Sequence, residues 1–236
     1  RLRCGNSLIG ARRAVWTREQ LKNGEHAWSS KKIAEEQAAA GKEASGEGTN
    51  PYQPGLPRLL KPGEKRAENE IYHFLVFDTD MVPTHGDKLM KQFWPERCAA
   101  AKSWIGKQAK PKGKAESIKE ALAICDAIDQ HWATYAMERA EALEATACTA
   151  TVWPTPASSE EATAASPTLE EQERICSALE STSGSFQRLR LVMDTWCSLW
   201  FWPLDRVSDL PTRDAMLASA RLILGDKPPK SRTEIE

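Results

Sequence analysis

The stretch ESIKEALAICDAIDQHWATYAMERAEALEAT, residues 116–146, decides the fold class of this chain. Ile118, Leu122, Cys125, Asp129, Trp132, Ala136, Arg139 and Leu143 fall on one heptad-like seam, and Ile124, Ile128 and Tyr135 widen it. Apolar residues returning every three or four positions describe an α-helix with one buried stripe. Neither Gly nor Pro interrupts the pattern. The polar members of the seam are poor positions for an independent coiled coil, so the helix is expected to pack against other helices of the same domain.

Helix signals recur on both sides of it. Thr17 with Gln20, and Thr168 with Glu171, have capping-box spacing. Ser29 or Ser30 is placed to cap a helix over 31–40 that Gly41 would stop, and Pro95 suits the first turn of a helix over 95–108 that follows one over 87–94. Ser185 is placed to cap a helix with the apolar face Phe186, Leu189, Met193, Trp196, Cys197 and Trp200, ended by Pro203. Thr212 opens a last helix through Leu224, stopped by Gly225. Residues 41–66, rich in Gly, Pro, Glu and Lys, read as a long loop. The apolar cluster Ile71, Tyr72, Phe74, Leu75, Val76 and Phe77 is too short to divide between strand and helix. The predicted fold is mainly α, a multi-helix body with a short extended N-terminal segment. Its expected divisions are 1–16, 17–66 with short helices and the loop, a helical body over 67–225, and a mobile tail over 226–236.

Composition bounds the function. With 236 residues, 41% hydrophobic and 28% charged, the chain can bury one good core or two small ones. No apolar run approaches the roughly 18 residues of a membrane span. The formal charge of −1 conceals two unlike halves. Residues 1–115 carry 21 Lys/Arg against 13 Asp/Glu, and residues 116–236 carry 11 against 20. A basic half can lie on phosphate while an acidic half faces solvent or a basic partner, although two solvated surfaces look the same in sequence. Cys4, Cys98, Cys125, Cys148, Cys176 and Cys197 form no Cys-x-x-Cys pair, and His26, His73, His85 and His131 are scattered. The expectation is reduced, buried thiols in a cytoplasmic protein with no metal site.

Two stretches carry a family resemblance. Leu2-Arg3-Cys4-Gly5-Asn6-Ser7-Leu8-Ile9-Gly10 alternates and then turns, as a strand delivering a loop would. It resembles the segment after the S-adenosylmethionine-binding strands of large adenine-specific DNA methyltransferases in restriction and phage-defence systems of the type IIG, BREX and DISARM kinds. Ile71-Tyr72-His73-Phe74-Leu75-Val76-Phe77-Asp78 and Asp80-Met81-Val82 are similar to that family's Tyr-His-Phe-Leu-Leu-x-Asp-x-Gly-Met stretch, which Asp87-Lys88-Leu89-Met90-Lys91 and Phe93-Trp94-Pro95 continue. The resemblance covers about half of the chain. It implies a parent with an α/β Rossmann-like methyltransferase domain that transfers a methyl group from S-adenosylmethionine to adenine N6 in double-stranded DNA. This chain would be an internal helical insertion lying between the cofactor-binding strands and the catalytic Asn-Pro-Pro-aromatic motif. Its partners would be the remainder of the parent and other defence-system subunits. The strand around Leu2 would then find its own partners upstream of residue 1.

Site candidates follow from that reading. The resemblance places Gly5 and Asn6 at the edge of the cofactor pocket, where a polar side chain meets the cofactor's adenine; a strand-ending Gly-Asn turn fits the same residues. Asn50-Pro51-Tyr52 lacks one proline of the catalytic motif, sits in a Gly/Pro-rich loop and reads as a turn, so no catalytic residue is assigned. Lys107, Lys110, Lys112 and Lys114, in the basic run that starts at Lys102 and surrounds Trp104, are the candidate DNA contacts, since lysines neutralise phosphate and release counterions. A solvated loop would have the same composition. Arg12, Arg13 and Arg18 form a second basic group. Most of the nine tryptophans fit helical periodicity, which favours core packing over base stacking, with Trp196, Trp200 and Trp202 forming one cluster. Asp126, Asp129 and His131 do not point at a common atom from one helix. Alone, the chain is expected to be inactive. The alternative is a stand-alone helical protein-interaction or DNA-binding module without catalysis.

Overall fold

The computed structural model describes residues 11–43, 53–61, 63–109, 115–147, 167–181 and 184–225. They are mainly helical, with one small sheet. The chain divides into two compact units, residues 1–126 with 192–236, and residues 127–191.

The first unit is built around strand β1 (Ala14–Thr17), all four residues of which are buried. It is the middle strand of an antiparallel sheet with β2 (Arg58–Leu59) on one side and β3 (Glu70–Tyr72) on the other. Val15 lies opposite both Arg58 and Tyr72, and Thr17 opposite Glu70. Side chains alternate along a strand, so Arg58, Val15, Thr17, Glu70 and Tyr72 share one face. Glu70 is fully buried there. Arg58 reaches across β1 to it, donating from Nε at 2.9 Å and from Nη2 at 2.8 Å. The backbone N–H of Ala67 donates to the same carboxylate at 2.8 Å.

The sheet was only partly foreseeable. The strand expected around Leu2 lies outside the described residues. The region expected as a loop over 41–66 contains β2, a two-residue strand too short to leave a pattern. The ambiguous cluster resolves into β3 followed by a 3-10 turn over His73–Leu75. That turn and its sequel supply much of the core, where Tyr72, Phe74, Leu75, Phe77, Met81 and Val82 are all buried.

Helix α1 (Arg18–Lys22) begins with the expected capping box: Gln20 N–H donates to Thr17 Oγ1, and Thr17 N–H to Gln20 Oε1, each at 3.1 Å. The Gln20 amide also donates to the carbonyls of Gln53 and Leu56, pinning the approach to β2. Helix α2 (Ser30–Glu43) runs through Gly41 instead of stopping there. A glycine costs a helix only about 1 kcal/mol, and it ends one only where the next turn needs a left-handed residue. Helices α3 (Lys88–Phe93) and α4 (Pro95–Gln108) match expectation, with Asp87 capping α3 and Pro95 in the first turn of α4. Cys98, Ala101 and Ile105 give α4 its buried face.

Helix α5 (Ala115–Ala145) is the long helix predicted from its period. Its stripe is buried at Ala121, Ile124, Cys125 and Ile128, but Leu143 is 60% exposed and Ala136 and Arg139 face solvent. The seam therefore does not persist along the helix, because a stripe is buried only where neighbouring elements run beside it. Asp126 of α5 is ion-paired with Arg66, whose guanidinium also donates to the Glu70 carbonyl at 2.8 Å. Helix α8 (Arg213–Leu224) starts at Thr212 and ends at Gly225 as expected, with Gly225 left-handed at φ 85°.

In the second unit, α6 (Leu169–Leu179) has the expected capping box, closed by Thr168 N–H to Glu171 Oε2 at 2.9 Å and Glu171 N–H to Thr168 Oγ1 at 3.2 Å. Ser185 is not a cap. It lies inside α7 (Ser185–Ser198), where its hydroxyl is 3.1 Å from His131 Nδ1, and the carbonyl of Gly184 accepts from Arg188 N–H. Tyr135 stacks on Phe186 beside it. Helix α7 ends at Ser198 in a 3-10 turn, before Pro203 is reached. Cys98 and Cys125 are buried and outside any disulfide as expected, whereas Cys176 on α6 is exposed. Among the described residues no helix is long and apolar enough to cross a membrane.

Candidate functional site

A cavity of about 240 Å³ in the first unit collects the polar residues that the core does not absorb. Trp16 comes to it from β1, on the sheet face shared with Ile71. Gly24, left-handed at φ 71°, turns the chain after α1 into a 3-10 turn over Glu25–Ala27. That turn sets His26 edge-on to Trp16, with ring centroids 6.2 Å apart, and leads to Trp28. Gly55 forms part of the rim at φ 72°, its N–H donating to Glu25 Oε2 at 3.1 Å. A Cβ at Gly55 would lie 2.6 Å from Ile33 Cγ1, so both the conformation and the space require glycine. The chain leaving β3 supplies His73, Asp78 and Asp80, and α7 supplies Trp196. Trp196 is fixed by its Nε1–H donating to the Val76 carbonyl at 2.8 Å and by edge-on contact with His73 at 5.0 Å.

The electrostatics of this wall are uniform in sense. Burial pulls the His73 imidazole down to about 4, and its Nε2 accepts from Arg12 N–H at 2.8 Å, a bond that needs an unprotonated nitrogen. Burial also lowers His26, whose Nε2 is 2.9 Å from the Ala109 carbonyl. That carbonyl is an acceptor, so Nε2 carries the proton and Nδ1 is a bare acceptor. Nδ1 is buried with no hydrogen-bond partner among the described residues. Burial pushes the Asp78 carboxyl up, and the Asp80 N–H that donates to it at 2.9 Å offsets only part of this. The wall thus holds two neutral imidazoles and a carboxyl that resists ionisation, the kind of perturbed group that collects at working sites. No lysine or arginine is among its described lining residues.

Two residues beyond Asp80 the backbone is strained. Val82 is left-handed, φ 51° and ψ 54°, although it is β-branched and fully buried. Such a conformation costs about 1–3 kcal/mol and persists only where surroundings impose it. Here its N–H donates to the Leu199 carbonyl at 3.2 Å, and its own carbonyl accepts from His85 N–H at 3.2 Å and faces His85 Nδ1 at 2.7 Å.

The sequence candidates lie elsewhere. Gly5, Asn6, Lys110, Lys112, Lys114 and the Asn50-Pro51-Tyr52 turn fall outside the described residues. Lys107 is exposed on the last turn of α4, and Lys102 is exposed on the same helix. Trp104, between them, is not an interleaved aromatic on a basic surface. Its Nε1–H donates to the Pro211 carbonyl at 2.9 Å and its ring meets Phe77 edge-on, so it belongs to the core. Arg13 donates to the Glu64 carbonyl at 3.0 Å, while Arg12 enters the site through its backbone. Asp126 turns to Arg66 and His131 to Ser185, so the acidic and histidine residues of α5 do not converge. Trp196 and Trp200 pack together at 5.8 Å, but Trp202 leaves the cluster and bonds the Arg206 carbonyl.

The cavity itself was missed. One signal was present: His73 and Asp78 are polar positions inside an otherwise apolar run, and polar groups committed to a core deserve a reason. His26 and Trp28 had no such signal. Among the described residues no group of three His, Cys, Asp or Glu side chains can hold a metal ion. In comparison with known proteins, no family model, no curated protein and no solved structure matches this chain.

Proposed function

We propose that this chain is a helical module of an S-adenosylmethionine-dependent, adenine-specific DNA methyltransferase of a bacterial restriction or phage-defence system, serving to shape the DNA cleft or to dock another subunit. The observation that carries this reading joins the chain just after the first family-like stretch to the second stretch. Arg12 and His73 are 61 positions apart, yet Arg12 N–H donates to His73 Nε2, and β1 pairs with β3 in the register Val15 to Tyr72. The chain just after the Gly5-Asn6-Ser7-Leu8 turn is therefore bonded to the Tyr72–Met81 stretch, which is what a shared functional origin for the two would require. The methyl donor would be held around Gly5 and Asn6, with the rest of its pocket supplied by the α/β domain of the parent. When bound, that cofactor supplies the methyl group; this module's own residues would fix the edge of the pocket and the path of the DNA. Lys107 and the lysines at 110, 112 and 114 would contact phosphate.

The test uses the full parent enzyme with duplex DNA and labelled methyl donor. Adenine methylation is expected, with DNA affinity falling when Lys107, Lys110, Lys112 and Lys114 are changed to Gln. A parent that transfers no methyl group to DNA adenine overturns the reading. A second reading, an interaction module without catalysis, is favoured by α3. Leu89 and Phe93, one turn apart on that helix, are 62% and 67% exposed, and Trp94 is 45% exposed. Such a patch fits a partner surface.

A further inference from the structure

The Trp16–His26–Asp78 cavity has a one-sided chemistry that the methyl-transfer reading does not use. Asp78 has a single hydrogen bond among the described residues, from Asp80 N–H to Oδ1, and no described cation faces it. Asp80 and Glu25 add further carboxylates to the same lining, Glu25 already accepting from Gly55 N–H. Around these acceptors stand three indoles, Trp16, Trp28 and Trp196, with Phe77. Trp28 already takes a cation on its ring, the Lys32 ammonium lying 4.3 Å from the centroid. A phosphate or carboxylate ligand would face the Glu25, Asp78 and Asp80 carboxylates, with no lysine or arginine among the described lining residues to offset them. A purely apolar ligand would offer Asp78 nothing beyond the Asp80 N–H and leave the charge of its carboxylate without a counterpart. A metal ion is not served either, since no described group of three ligands converges. The complement of this wall is a compact cation that donates N–H bonds and has an apolar body. Its volume of about 240 Å³ lies below the roughly 300–1,000 Å³ of drug-sized sites, so the ligand is small.

We propose that this cavity binds a small protonated primary amine, with its ammonium on the Asp78 carboxylate and its carbon body against the tryptophan walls. Binding supplies the counter-charge that Asp78 lacks, so amine affinity and ionisation of Asp78 are linked: each favours the other. The inference stands apart from the methyltransferase reading and survives its failure.

The probe pair is 2-phenylethylamine and 2-phenylethanol, which are close in shape and differ in charge, titrated into the full chain with tryptophan fluorescence and calorimetry as readouts. The amine is expected to bind saturably and at least about tenfold more tightly than the alcohol. Asp78→Asn, close to isosteric, is expected to lose that preference by about tenfold while leaving the alcohol's affinity unchanged. The proposal is overturned if the amine shows no saturable binding, if the alcohol binds equally well, or if Asp78→Asn keeps the full preference. Because the amine–alcohol comparison is made in the unsubstituted chain, a folding defect in the variant does not shield the proposal.

Discussion

Removing the Glu70 carboxylate is the sharpest perturbation this structure offers. Glu70 has no exposed surface, and its partner Arg58 keeps 11% of its side chain exposed. Two guanidinium N–H groups and the Ala67 N–H converge on the carboxylate. Glu70→Ala takes the bidentate partner from a largely buried guanidinium that keeps its ion pair to Glu64, and it orphans the Ala67 N–H. Breaking a buried ion pair from one side costs about 3–5 kcal/mol. Against a domain stability of about 5–15 kcal/mol, that is about a fifth of the total or more. In urea, with a slope of about 2 kcal/mol per molar, the midpoint should fall by roughly 2 M at unchanged slope. Arg58→Met with Glu70→Leu removes both charges together. It should cost far less than Glu70→Ala alone, about 1–3 kcal/mol, set mainly by the orphaned Ala67 donor. The assay is the double-mutant cycle by urea denaturation, followed by near-ultraviolet dichroism of the tryptophans. Loss of less than about 1 kcal/mol in Glu70→Ala, or simple additivity across the cycle, would refute the argument that a desolvated bidentate pair ties β2 to β3 across β1.

Other predictions bear on the cavity and its supports. Asp78 has a raised folded-state pKa, so the folded chain binds its proton at higher pH than the unfolded chain does; this group costs stability at neutral pH, and Asp78→Asn should raise the melting temperature at pH 7. His73 is the opposite case of a lowered pKa, about 4 against 6.5 unfolded. The unfolded chain takes up the proton first on acidification, so stability should fall as pH drops from about 6.5 to 4, by up to about 3 kcal/mol from this group; His73→Phe should flatten that part of the stability–pH curve, and an unchanged curve would contradict it. Gly55→Ala combines a left-handed φ with a 2.6 Å approach to Ile33 and should destabilise by about 2 kcal/mol or more in thermal denaturation. If Lys107, Lys110, Lys112 and Lys114 contact phosphate, changing all four to Gln should reduce the slope of log K against log salt by about 3–4 in duplex binding; an unchanged slope removes them as contacts.

The fold was legible where the signal is local. The capping boxes Thr17/Gln20 and Thr168/Glu171, the first-turn Pro95, the terminal Gly225 and the long period of α5 each depend on residues three to seven apart, and each is where the sequence placed it. Elements that depend on distant partners were not. A two-residue strand such as β2 has no period of its own and exists only because β1 lies beside it. Gly41 and Ser185 show the limit of residue-type rules, since a glycine or serine stops or caps a helix only when the backbone around it allows.

Sequence by itself therefore determined the helical class and most helix starts. Tertiary structure decided the surroundings of the scattered polar residues. His26, His73 and Asp78 acquire their shifted protonation from burial, and burial is a property of what packs on them, not of their neighbours in the chain. Trp16, Trp28 and Trp196 stand up to 180 positions apart and become one wall only when β1, the turn after α1 and α7 are brought together. A cavity is the space left between elements, and no single stretch of sequence contains it.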